Sequence, residues 1–442
     1  MAYCDGSGCS KGMEMAYRDH AGSENRDHLA NGLRLSLQHP QNGRPKNGKK
    51  NGFHDRPKRA RLNGYHHTST SSSGFENGDP LEDEEHDEEQ ELIPGLTDDL
   101  ALLCLARLPR STYWQYFTVS RKFYDKLKRG EIYKARQQLG IVEQWMYILS
   151  DGHQRVWRAF NPRERTWRQL QSIPSDYAFE VSDKETLTAG TQLLVRGMEI
   201  KGYVVWIYDL VQDKWIKGPD MIQSRSLYAS ASCGNYGFVA GGTSMVGTDN
   251  LKSAERYNSV AGTWEPLPDL NRCRRLCSGF YMDGKFYVIG GKDGQDQLTC
   301  GEEYDPATGT WRLIPNMYFG TSEQSQTAPP LVAVVDNQLY ALDTALNELK
   351  VYNKMRNDWR TLGEVPVRAD FNSGWGIAFK AMEGELYVIG GQDAPDRIEI
   401  WAWRPARGGG AQTSQEEQEE RPVWRYVTML GTFIYNCAVM AA

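Results

Sequence analysis

Trp167, Trp215, Trp264, Trp311, Trp359 and Trp424 stand 48, 49, 47, 48 and 65 residues apart, and each closes the same short pattern. That interval constrains the fold more than any other feature of the chain. Ahead of the tryptophans stand Phe160-Asn-Pro, Tyr208-Asp, Tyr257-Asn, Tyr304-Asp, Tyr352-Asn and, in a degenerate copy, Trp403-Arg-Pro. The clearest unit begins with the run from Phe280 to Gly291 and closes between Tyr304 and Trp311. Its two apolar runs are split by Asp283-Gly284, a dipeptide that accepts positive φ and so makes a two-residue hairpin turn. The second run ends in Gly290-Gly291, where missing Cβ atoms permit φ > 0 or close backbone approach. A polar loop, a Tyr-Asp strand end, a Gly turn and a Trp-led strand follow. This unit therefore spells four short antiparallel strands.

A period of roughly fifty residues with these marks is the kelch signature, one four-stranded propeller blade per unit. The diglycine recurs at Gly241-Gly242 and Gly390-Gly391, and is replaced by Arg196-Gly197 in the second unit and Leu342-Asp343 in the fifth. The first unit, from Trp145 to Trp167, holds only the later strands of a blade, whereas the chain end from Phe433 to Met440 reads as a first strand. Joining the two completes one blade and leaves no sheet edge unpaired. The expected fold is mainly β: a six-bladed propeller over residues 141–442 with a low-complexity loop at 405–422. A three-helix segment at 92–140 and a disordered arm at 1–91 precede it.

The net charge of −6 names no partner, but its distribution is uneven. Residues 1–74 hold twelve Lys/Arg against six Asp/Glu, and residues 76–91 then hold ten acids and no Lys or Arg. With few apolar residues to offset ordering entropy, this arm is expected to be disordered. Its cluster Arg56, Lys58, Arg59 and Arg61 reads as a nuclear-import signal or as a merely solvated basic run, which gives an expected location in nucleus and cytoplasm. The eight cysteines have no framework spacing and no apolar leader precedes them, so a reduced, intracellular protein is expected. Cys273 and Cys277 lack a second Cys/His pair and read as structural thiols. No run is long and apolar enough to span a membrane, and neither membrane nor nucleic acid is an expected partner.

Between Leu92 and Gly140 the pattern turns helical. Thr97 is placed to cap a first helix whose opening turn carries Asp98 and Asp99, and Pro109 ends it. Leu100, Leu103, Cys104 and Leu108 share one face, widened by Leu102 and Leu105. A second helix is expected from about Thr112 through Leu127, and a third over Glu131–Leu139. So small a core has more apolar positions than it needs, which fits either a partner or docking on the propeller. Leu96-Thr-Asp-Asp-Leu100, Leu105-Ala-Arg-Leu-Pro109 and Val119-Ser-Arg-Lys-Phe123 resemble an F-box. With the propeller behind it, the chain resembles the plant F-box/kelch-repeat proteins, and Leu92 to Leu96 resembles the Skp-interacting-partner-like subgroup. The resemblance implies the substrate receptor of an SCF ubiquitin ligase, with partners in the Skp adaptor, through it cullin and RING subunits, and a substrate protein. Adaptor contacts carried over position by position are Leu96, Leu100, Cys104, Leu105, Leu108, Pro109 and Val119. Thr97 stands where the family usually has Pro.

One kelch-type propeller family is a copper oxidase resembling galactose oxidase, and copper needs imidazole ligands. Seven of the eight histidines lie in the arm and the eighth is His153, so none follows it in the propeller. The same lack removes Ser–His and Cys–His pairs, and the diglycines lack the Lys and helix of a phosphate loop. No cofactor, metal or catalytic residue is expected. Binding remains: Arg225, Arg272, Arg274, Arg275 and Arg368, with Tyr228, Phe319, Phe371 and Trp375, fall in or beside the loops between blades. Arginine with aromatics suits a hot spot for an acidic or phosphorylated segment; equally, the arginines fit internal bridges to carbonyls and acids. A kelch scaffold, for instance one that binds cytoskeleton, and a divergent propeller enzyme are the alternatives.

Overall fold

The computed structural model describes residues 91–116, 118–150, 156–244, 249–320, 328–368, 375–391, 398–406, 421–430 and 433–441. The arm and its basic cluster at Arg56, Lys58, Arg59 and Arg61 lie outside the described residues.

Among the described residues four short helices precede the strands: α1 (Asp98–Leu105), α2 (Tyr113–Tyr116), α3 (Arg121–Lys128) and α4 (Glu131–Gln138). The sequence predicts one helix from Thr112 to Leu127, and the structure breaks it in two. A 3₁₀ turn over Arg110–Thr112 leads into α2, and Ser120 starts α3 afresh by accepting the Phe123 amide at 3.2 Å. That bond satisfies an orphan donor of the new first turn. At α1 the expected Thr97 side-chain cap is not made. Asp98 instead accepts the Leu92 amide at 3.2 Å and pairs with Lys122 at 2.9 Å.

Six four-stranded antiparallel sheets follow, one per blade. Blade 1 is assembled from both ends of the propeller sequence: Ile434–Ala441 is innermost, then Gln144–Ser150, Val156–Asn161 and Thr166–Gln169. Blades 2 to 6 begin with innermost strands Glu185–Ala189, Ala229–Cys233, Ser278–Met282, Leu331–Val335 and Ala378–Met382. The closing strand pairs along Gln144–Ser150, from Gln144 with Ala441 to Ser150 with Ile434. The six-bladed, mainly β expectation stands.

The core is six separate wedges rather than one mass. Each apolar cluster of the propeller draws on two neighbouring blades, including Met146, Ile148 and Cys437 of blade 1 against Tyr387, Ile389 and Ile400 of blade 6. The repeated aromatics belong to this packing. Tyr208–Trp215, Tyr257–Trp264, Tyr304–Trp311 and Tyr352–Trp359 are cross-strand pairs with ring centroids 5.2–5.4 Å apart. Each of these tryptophans also donates its indole N–H to a carbonyl leaving the previous blade: Gln171, Pro219, Pro268 and Met317 at 2.8–3.2 Å. One residue type thus packs a blade and ties it to its neighbour. The hairpin turn at Asp283 and Gly284 has φ of 51° and 75°, as a type I′ turn requires.

Because strands alternate in direction, the first-to-second and third-to-fourth turns of every blade share one end, called the lower face. The second-to-third loops and the links between blades share the other, the upper face. The insertion joining Trp403 to Arg425 is a third-to-fourth connection of blade 6 and leaves from the lower face; its residues 407–420 lie outside the described ones.

A chain ending at Thr432 loses the innermost strand of blade 1 and uncovers one wedge. It should elute as an expanded species and lose the single cooperative thermal transition of the full chain; a compact, cooperatively melting product would refute closure by this strand.

Candidate interaction surfaces

The first surface is on the helices. Along α1, Ala101 and Leu105 point into a core with Phe123, Leu127 and Ile132, whereas Leu100 is 52% exposed and Cys104 is exposed. The i, i+4 spacing aligns the members of each pair, and the one-residue offset turns the two pairs about 100° apart on the helix. Val119 is 59% exposed, Pro109 is exposed, and Leu96 and Leu108 are half-buried against the helical core. Of the seven carried-over adaptor contacts, Leu105 is the exception: at 4% exposure it is spent inside the helical core and has no surface to offer a partner.

Arg136 and Glu143 fix this helical unit to the propeller. Arg136 is buried and donates to the carbonyls of Ala106 and Leu108 at 3.0 Å each, just past the end of α1, where carbonyls lack helical partners. Its other nitrogen pairs with Glu143 at 2.9 Å. Glu143 also accepts the Arg110 amide at 3.2 Å, and its own carbonyl takes the Arg110 guanidinium at 3.0 Å. The Arg110 guanidinium lies 4.9 Å over the Trp145 ring, on the first strand after the helices. At the edge of the unit, Ser111 bonds Glu164 at 2.7 Å and Lys128 bonds the Gln212 carbonyl at 2.8 Å. Glu164 and Gln212 belong to third-to-fourth turns of blades 1 and 2, so the helices sit on the lower face.

The second surface is the upper face, and there the structure separates the predicted arginines. Arg225 and Arg274 have no exposed surface at all. Arg225 donates to the carbonyls of Gly241 at 2.9 Å and Ser253 at 2.6 Å and pairs with buried Glu255. Arg274 repeats this on the Gly290 and Cys300 carbonyls at 3.0 and 3.2 Å and on Glu302 at 2.7 Å. Each carboxylate also accepts amides of the incoming link: Ile222 and Gln223 for Glu255, Asn271 and Arg272 for Glu302. These two arginines bind the protein's own loops and cannot meet a substrate, which corrects the sequence reading. The diglycines make room for them: a Cβ on Gly241, at φ 69°, would stand 2.6 Å from the Arg274 carbonyl oxygen.

The remaining predicted residues scatter around the ring. Arg272 is exposed and 3.8 Å from Asp293. Arg275 is half-buried and backbone-paired with Lys292, whose ammonium burial, and then the Arg275 charge, hold below its ordinary pKa. Arg368 is exposed and lies in the link to blade 6, where its backbone is bridged to Gly391. Trp375 is 43% exposed. Phe319 stands edge-on to Trp359 at 5.3 Å beneath Lys350. Tyr228 is half-buried against the wedge between blades 2 and 3, and burial, then the Glu185 carboxylate, raise its hydroxyl pKa. Phe371 lies outside the described residues. The sequence reading missed a group on blade 2: Tyr177, Val181, Met198, Ile200 and Ile222 are all exposed. The one sequence signal for it is the missing diglycine of that unit.

Glu185 opens the innermost strand of blade 2 and accepts the Leu227 amide of the next link beside Arg196, 3.3 Å away. Burial pushes its carboxyl up to about 7, against the opposing pull of Arg196 and the Leu227 and Tyr228 amides. Among the described residues no group of three or more His, Cys, Asp or Glu is placed to hold a metal, and no helix is long and apolar enough to cross a membrane.

The kelch motif family matches residues 224–271 and 273–318, the two stretches that carry the buried Arg225–Glu255 and Arg274–Glu302 pairs. Three curated proteins of Arabidopsis thaliana, all named F-box/kelch-repeat proteins, are similar over most of the chain. One is 42% identical over 358 residues, which cover 79% of this chain and 83% of the relative. A second is 38% identical over 393 residues, covering 85% and 87%. The third, SKIP11, is 42% identical over 361 residues, covering 79% and 75%.

Two outcomes follow from the geometry. Arg274→Met leaves Glu302 charged and unpaired in the interior and should cost about 3–5 kcal/mol of stability, read by denaturant unfolding; an unchanged midpoint would remove the structural role. Glu185 has a folded pKa above its unfolded value, so the native state loses stability as pH rises from about 4.5 towards about 7. Glu185→Gln removes that loss, and the melting temperature of the variant relative to wild type should be higher at pH 8 than at pH 5.

Proposed function

The chain belongs to the plant F-box/kelch-repeat family, and from that premise we propose that it is the substrate-recognition subunit of an SCF-type ubiquitin ligase. The helical unit takes the Skp adaptor, which brings the cullin and RING subunits. The upper face of the propeller takes the substrate protein. The observation that carries the reading is the apolar side of α1 at Leu100 and Cys104, with Val119, which the helical core does not use. A scaffold whose helices only dock on the propeller has no use for that side, because the helices meet the lower face through other residues, Ser111 and Lys128.

The mechanism is proximity. Holding substrate and ligase on one body replaces a bimolecular encounter with an effectively intramolecular one. Ubiquitin transfer takes place on other subunits, and this chain makes no bond itself. The lower-face position of the helices directs the adaptor away from the upper face and leaves that face clear for a substrate. The basic cluster of the arm supports import into the nucleus, and we propose action in both nucleus and cytoplasm.

Binding of purified Skp adaptor to the full chain tests the reading. Leu100→Asp with Cys104→Asp places charge in the apolar contact without touching the buried Ala101–Leu105 side. It should weaken binding at least about thirtyfold, roughly 2 kcal/mol, with the melting temperature unchanged. No adaptor binding by the wild-type chain would reduce the protein to a propeller scaffold.

A further inference from the structure

The upper end of blade 2 is built as a platform. Helix α5 (Tyr177–Val181) lies in the link from blade 1 and turns Phe179 inward beneath the hairpin of blade 2. Gly197 makes that approach possible, since a Cβ there would stand 2.6 Å from the Phe179 ring. Asp176 caps α5 through the Phe179 amide at 3.0 Å and takes the Ile200 amide of the hairpin at 2.8 Å. Ser182 accepts the Met198 amide at 3.1 Å, and Lys184 closes the carbonyl end of the helix on Phe179 and on Ser182 at 2.7 Å. Arg196 reaches Ser224 at 3.4 Å and ties the hairpin to the link carrying Ile222.

The backbone here is satisfied internally, yet its apolar side chains face water. Tyr177 is 70% exposed and Ile200 80%, with Val181, Met198 and Ile222 also open. Tyr177 and Val181 stand four apart, opposite Phe179, as the outward side of one helical turn. Removing such side chains from water favours association, so a cluster fixed in the open marks an interaction site. Its exposed charged neighbours are Glu180, Asp183 and Asp220 against Lys201 and Lys217; Lys217 is already paired with Glu199 of the hairpin at 2.8 Å, which leaves an excess of acid.

We propose that this platform docks a segment of the substrate with apolar side chains on one side and Lys or Arg on the other. The proposal rests on the receptor role argued above and makes that role specific: the anchor is apolar with a basic rim, in place of the acidic segment that an arginine-lined site would select.

The test uses the full chain bound to its Skp adaptor and two labelled amphipathic peptides of equal length, one Leu/Lys and one Leu/Glu, followed by fluorescence anisotropy. The Leu/Lys peptide should bind at least about tenfold more tightly. Tyr177→Ser with Ile200→Ser should erase that advantage at an unchanged melting temperature. Attraction of the basic peptide to the acidic run at 76–91 survives these substitutions, so unchanged affinity in the variant overturns the platform, as does preference for the Leu/Glu peptide. Adaptor binding is measured in the same samples. Retained adaptor binding without peptide preference sinks the platform alone; a wild-type chain that binds no adaptor sinks the receptor reading and this proposal with it.

Discussion

No blade of this propeller can bury its own faces, and the rest of the structure depends on that constraint. A four-stranded sheet exposes two apolar sides, and each side here finds cover only in the wedge shared with a neighbour. Six blades need six wedges, and the sixth exists only because Ile434–Ala441 returns to pair with Gln144–Ser150. Stability is therefore a property of the ring. It also explains the indole bonds from Trp215, Trp264, Trp311 and Trp359 to the preceding links: the polar atoms of a link are satisfied by the next blade in the same packing that covers the wedge.

The same strand carries a second constraint. Glu143 stands one residue before Gln144 and is held by Arg136 of the helical unit, the Arg110 amide and the Trp145 indole N–H, the last at 3.4 Å. A buried ion pair contributes little net stability against an apolar substitute, but it demands one geometry. Here that geometry joins α4, the end of α1 and the first strand after the helices. With Ser111 and Lys128 on blades 1 and 2, the helices have one orientation on the lower face. The proposed receptor role needs this, since a floppy joint would dilute the effective concentration that two binding surfaces on one body create.

The repeats made the propeller legible because period, hairpin turn and aromatic pair are local features that each blade states again. Closure was legible because the two partial units complement each other. Helix boundaries were less so: the break between α2 and α3 rests on a single capping serine, Ser120, and the register of Arg136 on carbonyls thirty and twenty-eight residues away. The arginines show the limit most clearly. Equal spacing from the diglycine correctly placed Arg225 and Arg274 at equivalent positions, but spacing does not say which way a side chain turns. Their partners Glu255 and Glu302 lie thirty and twenty-eight residues on, and only the folded sheet brings them under the loops.

The most regular blades are thus poor places to seek a partner. In blades 3 and 4 the diglycine takes positive φ, stops the second strand after five residues, and makes room for a link stapled by a buried arginine. Those upper loops are committed to the protein itself. Blade 2 has lost the pair, and its second and third strands each run for eight residues, Gln192–Glu199 and Gly202–Asp209. The longer hairpin rises beyond its own innermost strand, and α5 fills the edge so exposed. Blade 6 shows that the glycines alone do not stop a strand: Gly390 and Gly391 keep strand geometry, and Glu385–Gly391 runs through them. Blade 2, one of the two units without the diglycine, thus holds an apolar upper surface that the stapled loops of blades 3 and 4 cannot offer.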